Sequence, residues 1–583
     1  MDRRKFLISG AALPLVAGIG AGRTLSDSAR ASAPSPAQPV APQGPQHQRY
    51  ELTLNRVLSG TSPAFTPEFL LADVRPTPGR RFTEYSGDLS GRYVGALATA
   101  GRVYKTNFPD LDSLVDKIIA LQKPDGYFGA NFHYDKPTDL DLALLWGNGR
   151  LLVGLLEYYR YKPSRPVLES SRRLGDFLLR IAPLMLSSEI RQEFGASHFA
   201  SSYICWTQQT EGLANLFIET KDTRYKDLTE KIAAVIERRP GDHVHGYLTS
   251  LRGVMDLYQA TNDSRLLTQC ETAWQDIVQS EDLLITGGVP EGWSPNKHRT
   301  EGCAEADWLR LNLALWQATS NAKYLAMAER TTFNEFSLNQ FSTGDFGHRV
   351  LTETGISGDG AARAWWCCTL HGLRCFPDIH EATFRAKQDE LRYDLPLDGA
   401  ISLSATALSS LATDGAVQIK FSGAPAGITS LRIRKPEWAD SMEIQVNGAT
   451  VPSAIESGYA SLRRPWKKGD TVSVRYGMSL RTLPEEKKRN AYMFGPWLLG
   501  AAQASDPAYF NELTIENRLA KSPSPAASSS PAHPFAVPIA ATNFPYTPAE
   551  FPEQHQAVTL RAVAEQTGEP TTTWQLRFLT DFA

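Results

Sequence analysis

The sequence predicts a multidomain α + β protein, an N-terminal (α/α)6 toroid followed by an antiparallel β-sandwich. Three observations lead there. From about Leu111 to Phe384 the apolar residues recur at helical spacing. Within that stretch one phrase returns: Leu216 to Asp222 before Arg224-Tyr225, Leu257 to Asp263 before Arg265-Leu266, and Leu315 to Asn321 before Lys323-Tyr324, with a looser copy at Leu156-Glu157-Tyr158-Tyr159. Each copy reads as a helix, a short polar turn and another helix, so the segment is an array of helical hairpins that need neighbours to bury their faces. The intervals between Thr220, Thr261 and Thr319 are unequal, 41 and then 58 residues. That disfavours an open regular solenoid and suits a closed toroid, although spacing alone does not separate the two. Beyond Leu391 the period falls to two, in Ser430-Leu431-Arg432-Ile433-Arg434, Met442 to Val446 and Thr471 to Arg475, with Asn447-Gly448 and Lys468-Gly469-Asp470 as turn signals.

Taken in order, residues 1–31 read as a twin-arginine export signal. Arg3-Arg4-Lys5-Phe6-Leu7 precedes the apolar run Ile8 to Ala21, and Ala29-Arg30-Ala31 offers small residues to a signal peptidase. The run falls short of the roughly 20 residues a membrane span needs, so none is expected in the mature chain. A periplasmic or secreted location follows from that reading. Residues 32–50, rich in Pro, Ala and Gln, are expected to be a disordered linker. The toroid is expected over 51–390, the sandwich over 391–510, and a Ser/Pro/Ala-rich linker with a small β region over 511–583. At 583 residues, 42% hydrophobic and 21% charged, the chain can bury large cores. Its net charge of −3 gives no electrostatic reason to expect nucleic acid or an anionic membrane as partner.

Six cysteines, Cys205, Cys270, Cys303, Cys367, Cys368 and Cys375, are too few for a disulfide scaffold in so long a chain, and no pairing follows from their spacing. Thr286-Gly287-Gly288-Val289-Pro290-Glu291 is a glycine turn ending on a carboxylate. Glu301-Gly302-Cys303 follows, then Trp365-Trp366-Cys367-Cys368-Thr369. One carboxylate and three thiols are ligand types zinc accepts, but the spacing is no zinc-finger pattern. Three buried apolar thiols, or a Cys303 disulfide with one of the vicinal pair, fit the same residues.

These residues and others in the same order carry a resemblance. Asp125-Gly126-Tyr127, Thr286-Gly287-Gly288, Glu301-x-Cys303 and Cys367-Cys368, then Arg434-x-Pro436-x-Trp438-Ala439, Val446-Asn447-Gly448, Gly458-Tyr459, Trp466-x-x-Gly469-Asp470 and Gly495-Pro496, resemble the glycoside hydrolase family 127 group, the β-L-arabinofuranosidases and their relatives. The resemblance implies an (α/α) toroid catalytic domain with β-sandwiches, and a retaining hydrolase that uses a cysteine nucleophile. It implies that Glu301, Cys303, Cys367 and Cys368 hold Zn2+, that Cys367 attacks the anomeric carbon, and that Glu291 is the acid/base. A zinc-held thiol is a thiolate, the nucleophilic form. The interval from Glu291 to Glu301 is short for the family, so Asp282 or Glu305 compete for the acid/base role.

The pocket departs from the family at Ala143 to Arg150, at Trp206, and at Trp365, where a further cysteine is common. Sugar contacts are expected from His133, Trp146, Arg150, Trp206, Gln208, His243 and His245, which combine aromatic faces with hydrogen-bonding groups. Arg150 is also suited to a carboxylate on an acidic sugar. The partner is then a glycan, with β-L-arabinofuranose at a non-reducing end as the leading substrate. Two alternatives keep part of this reading: a toroid epimerase or lyase, and a non-catalytic carbohydrate-binding protein with a structural zinc.

Overall fold

A computed structural model describes residues 44–75, 82–195, 202–358, 364–387, 389–401, 404–423, 427–484 and 489–510, with segments of 518–581. The expected export signal and most of the expected linker lie outside the described residues.

The helical region is a closed double ring. Its inner helices are α2 (Asp88–Tyr104), α4 (Asp139–Tyr161), α6 (Gln209–Thr220), α8 (Val244–Thr261), α10 (Gly302–Thr319) and α12 (Trp366–Thr383). Each packs on the next, and α12 packs back on α2, which excludes an open solenoid. The outer helices are α1 (Pro45–Leu58), α3 (Pro109–Ile119), α5 (Arg165–Met185), α7 (Thr223–Ala233), α9 (Ser264–Val278) and α11 (Ala322–Thr331). Inner helices are nearly all buried, as the continuous burial of Leu142 to Tyr158 in α4 shows. Outer helices are amphipathic; α5 buries Leu174, Phe177, Leu178 and Ile181 on one face.

The recurring phrase is the hairpin itself. Thr220, Thr261 and Thr319 each bond back through Oγ1 to the carbonyl four residues earlier, at 2.6, 2.8 and 2.8 Å. Lys221, Asn262 and Ser320 follow in the left-handed conformation. Asp222, Asp263 and Asn321 then cap the outer helices by accepting from Arg224, Arg265 and Lys323 backbone N–H groups. Because each inner helix reverses into an outer one, the inner helices run the same way and their N-termini gather at one end of the ring.

Part of the expected linker is structural. Helix α1 begins at Pro45, and Asp398 accepts the Gln46 and His47 N–H groups at 2.9 Å, satisfying its open N-terminal donors. Tyr50 packs on Phe376 of α12, so α1 supplies the outer helix for the last inner one. The chain is recruited because α12 would otherwise leave an apolar face in water.

This corner gives a pH prediction. Burial, with His47 nearby, pushes the His380 imidazole down to about 4, so the folded state holds it neutral well below the usual imidazole value. The unfolded chain binds that proton near pH 6.5. Stability should therefore fall as pH drops from about 6.5 towards 4, and His380→Gln should flatten that slope in denaturant titrations. An unchanged slope would remove His380 from the acid response.

The β region differs from expectation at its boundaries. Two sheets of five and six strands form the sandwich. Phe384–Lys387 and Glu390–Tyr393 already belong to the first, so the toroid ends at Thr383 rather than 390. Among the described strands pairing is antiparallel except between Glu390–Tyr393 and Ser430–Arg434, which run parallel. Strands from Leu480 to Ala502 leave the sandwich for a third sheet, so 391–510 is not one unit. In that sheet Trp574–Arg577 lies between Trp497–Ala502 and Gly355–Gly358, a hairpin strand inserted in the helical region. The C-terminal strands thus complete a sheet that reaches back to Arg299–Glu301 beside the candidate site. Hydrogen bonding decides this: an inserted hairpin edge must be paired or solvated.

The motif Arg434-x-Pro436-x-Trp438 is a docking device. Arg434 Nη1 and Trp438 Nε1 both donate at 3.0 Å to the buried Glu329 carboxylate of α11. Likewise Asn334 accepts from Leu498 N–H at 2.7 Å and donates to the Pro496 carbonyl. Asn447 and Gly448 take the positive φ values a tight hairpin turn needs.

Candidate active site

The four expected ligands converge. Glu301 ends a short strand at the position just before α10, Cys303 lies in the first turn of α10, and Cys367 and Cys368 lie in the first turn of α12. Their ligand atoms all lie within 4.8 Å of one another. Gly302 permits the approach, since a Cβ there would sit 2.8 Å from Asn339 Oδ1 and 3.0 Å from Cys368 Cβ. All six cysteines are free thiols, which removes the Cys303 disulfide alternative. Cys205, Cys270 and Cys375 are buried elsewhere, and burial pushes their thiols up, the behaviour of small apolar residues.

Two helix N-termini aimed at three sulfurs favour negative charge. Hydrogen bonds from the Cys303 and Cys368 thiols, supported by the Arg92 charge, hold the Cys367 thiol well below its usual value. Burial drives Cys303 and Cys368 the other way. Cys303 and Cys368 are fully buried, whereas Cys367 is half-buried. Burial alone would raise Glu301, but His243, His245 and His348 hold it well below the usual carboxylate range. His243 Nε2 lies 2.9 Å from Glu301 Oε2.

Glu301 also belongs to a second group, with His243 and Glu291. Glu291 is buried and placed by backbone bonds: its N–H donates to the Arg299 carbonyl, and its carbonyl accepts from Val244 N–H. Its carboxylate meets the Arg299 guanidinium, with Nη2 at 2.7 Å, and lies 3.5 Å from His348 Nε2. The preceding glycine turn is anchored where Gly287, at φ 84°, offers its carbonyl to Trp308 Nε1 and Thr331 Oγ1. The competitors of Glu291 are engaged elsewhere: Asp282 binds Arg238 and Ser294, and Glu305 is buried beneath the turn, accepting from Val289 N–H.

The expected sugar contacts divide. Trp146 and His243 stack on each other, with ring centroids 5.4 Å apart, directly behind Glu301. His245 is fully buried and bonded to Asp307 at 2.6 Å, so it supports the site from below. Arg150, Trp206 and Gln208 are corrections. Arg150 is buried and pairs with Glu211 at 3.2 Å, because a buried guanidinium needs an internal counter-charge; it is not available to an acidic sugar. Gln208 is buried and donates to the Trp146 carbonyl, and Trp206 is packed inside the helical core. His133 is largely exposed and engages Asp141 at the start of α4, outside the gathered residues.

Sequence reasoning missed Arg92, Arg299, His348, Asp307 and His371. Arg92 carried a signal: a lone cation within the buried run Leu89 to Gly101 must face an anion or an acceptor. His245, Asp307 and His371 form a third cluster, but its nitrogens and oxygens are already hydrogen-bonded to one another and to Arg92 and Arg252. Two adjacent guanidiniums make it a poor cation site. Two residues before Cys367, the Trp365 ring packs against other rings, its centroid 6.1 Å from that of Phe82 and 6.0 Å from that of His348.

The ring of inner helices, with thiols and carboxylates gathered at its N-terminal end, is an (α/α) toroid carrying a candidate metal and catalytic centre. Residues 80–381 match the β-L-arabinofuranosidase GH127 catalytic domain, and residues 392–478 match the GH127 middle domain. The chain belongs to the GH127 family and is a glycoside hydrolase. Among solved structures, a GH127 β-arabinofuranosidase is 17% identical with a TM-score of 0.70, over 94% of this chain and 96% of that one. A GH127 β-L-arabinofuranosidase from Geobacillus stearothermophilus T6 is 15% identical, with a TM-score of 0.65 over 92% and 98%. Both likenesses establish the shared fold. No curated protein matches the sequence. Membership sets aside the epimerase, lyase and non-catalytic alternatives. Among the described residues no helix is long and apolar enough to cross a membrane.

Proposed function

We propose that this hydrolase is exported by the twin-arginine route and releases β-L-arabinofuranose, or a related sugar, from the non-reducing end of a glycan with retention of configuration. The observation that carries the reading is the asymmetry among three clustered sulfurs: Cys367 alone belongs to a residue that is not fully buried, and its partners and Arg92 favour its ionised form. The donor set, three sulfurs and one carboxylate oxygen within 4.8 Å, fits zinc, so Glu301, Cys303, Cys367 and Cys368 would hold the ion. Bound there, zinc supplies charge that keeps the thiols deprotonated.

The remaining chemistry belongs to the side chains. The Cys367 sulfur forms a bond to the anomeric carbon as the bond to the leaving oxygen breaks. Glu291 gives that oxygen a proton, then as carboxylate takes one from the water that displaces the sulfur. Arg299 bonds Glu291 in its carboxylate form, so an arriving sugar must loosen that pair for the acid step. Trp365 and Phe82 offer apolar faces for the sugar ring, replacing the expected Trp206.

The test is a glycan-cleavage screen on zinc-loaded protein, with the first-formed anomer read by NMR. A retained anomer from a β-L-arabinofuranoside is expected; an inverted one would reject the cysteine mechanism. Export is tested by fusing residues 1–31 to a folded reporter, where Arg3→Lys with Arg4→Lys should stop translocation.

A further inference from the structure

The Arg92 guanidinium touches the sulfur cluster, and its neighbours hold it still. Its side chain is 4% exposed. Nε donates to Asp88 Oδ1 at 2.8 Å, Nη2 faces His245 Nε2 at 3.0 Å, and Nη1 faces both His371 Nδ1 at 3.2 Å and Cys303 Sγ at 3.5 Å. Asp88 is itself held by Trp146 Nε1 at 3.0 Å.

The two imidazoles are oriented from behind. Asp307 is buried and accepts from His245 Nδ1 at 2.6 Å, His371 Nε2 at 2.9 Å, Thr249 Oγ1 at 2.8 Å and Arg252 Nη1 at 2.8 Å. An ionised carboxylate only accepts, so it fixes each ring proton on the nitrogen that faces it. The lone pairs of His245 Nε2 and His371 Nδ1 then point at Arg92, which can only donate. Asp307 thus dictates two tautomers, and the tautomers dictate where the guanidinium sits.

The charge count says what this is for. Three thiolates and a carboxylate around a dication leave a formal charge of about −2 in a buried site. A net charge there is costly unless a fixed counter-charge lies close by. We propose that Arg92 is that counter-charge: a positioning residue for the zinc–thiolate centre, clamped through His245 and His371 by Asp307. The inference rests on the zinc reading of the four-residue set.

The experiment measures zinc, not turnover. Wild type, Arg92→Gln, Arg92→Lys and His371→Gln are loaded with zinc, and affinity is read by competition with a chromogenic chelator, with melting followed by circular dichroism. Arg92→Gln should weaken zinc binding roughly 10- to 100-fold, as loss of a supporting partner does. Arg92→Lys should recover part of the affinity by restoring charge without the fork. His371→Gln, which keeps the charge but loosens the clamp, should lose several-fold, and it serves if Arg92→Gln does not fold. A folded Arg92→Gln that binds zinc like wild type, or Arg92→Lys no better than Arg92→Gln, would overturn the counter-charge; an unaltered His371→Gln would overturn the clamp. Wild type that binds no zinc would instead overturn the reading beneath it.

Discussion

Cys367→Ser is expected to lower turnover of the cleaved glycan by about 10^4-fold or more while the protein stays folded. The sulfur it removes belongs to the one cysteine of the cluster that is not fully buried, and the hydroxyl that replaces it is a poor nucleophile because it is not ionised at neutral pH. Glu301, Cys303 and Cys368 remain on the same two helix N-termini, so zinc should be weakened rather than lost, and melting should move by only a few degrees. Cys303→Ser provides the contrast: a fully buried sulfur is replaced, and metal content falls together with activity. The measurements are kcat/KM, zinc content and melting of each variant. More than about one part in a hundred of wild-type turnover in metal-loaded Cys367→Ser would place the nucleophile elsewhere.

Glu291→Gln should slow cleavage of an unactivated oligosaccharide by about 10^2- to 10^4-fold, the range for loss of a positioned acid/base. With a nitrophenyl glycoside the first step needs no proton donor, so bond breaking should keep most of its rate and the cysteine adduct should accumulate. A pre-steady-state burst would then appear that wild type lacks, and added azide should shorten the adduct's life by replacing activated water. The amide cannot form the ion pair with Arg299, whose side chain is 24% exposed and can be hydrated, so little stability should be lost. Equal slowing on both substrate classes would count against Glu291 as the proton donor and point to a role in holding Arg299.

The hairpin array was legible because it is local. A threonine, a left-handed residue and an Asp or Asn cap act within four residues, so Thr220-Lys221-Asp222 and its two copies write the turn into the chain. The zinc-type set was legible for another reason. Its spacing is no zinc pattern by itself, but the order of Glu301-x-Cys303 and Cys367-Cys368 along the chain matched a known family. The sugar contacts were the weakest reading. Arg150, Trp206 and Gln208 have suitable side chains, but all three are buried against neighbouring helices, where Arg150 pairs with Glu211 and Gln208 donates to the Trp146 carbonyl. The β-region boundaries were misplaced because strand alternation marks strands without naming their partners. Only pairing reveals that Trp574–Arg577 joins Gly355–Gly358.

The chain by itself determined the helical hairpins and the alternating strands, since each depends on residue type and short-range spacing, and the resemblance carried by its motifs named the four candidate ligands. Ring closure by α1 and α12, the pairing of Glu291 with Arg299, and the column from Asp307 through two histidines to Arg92 and Cys303 were decided only in three dimensions. A buried charge takes its role from whatever lies about 3 Å away, and for Arg92 those neighbours are Asp88, one turn back on its own helix, and His245, Cys303 and His371, brought in by packing from three other helices.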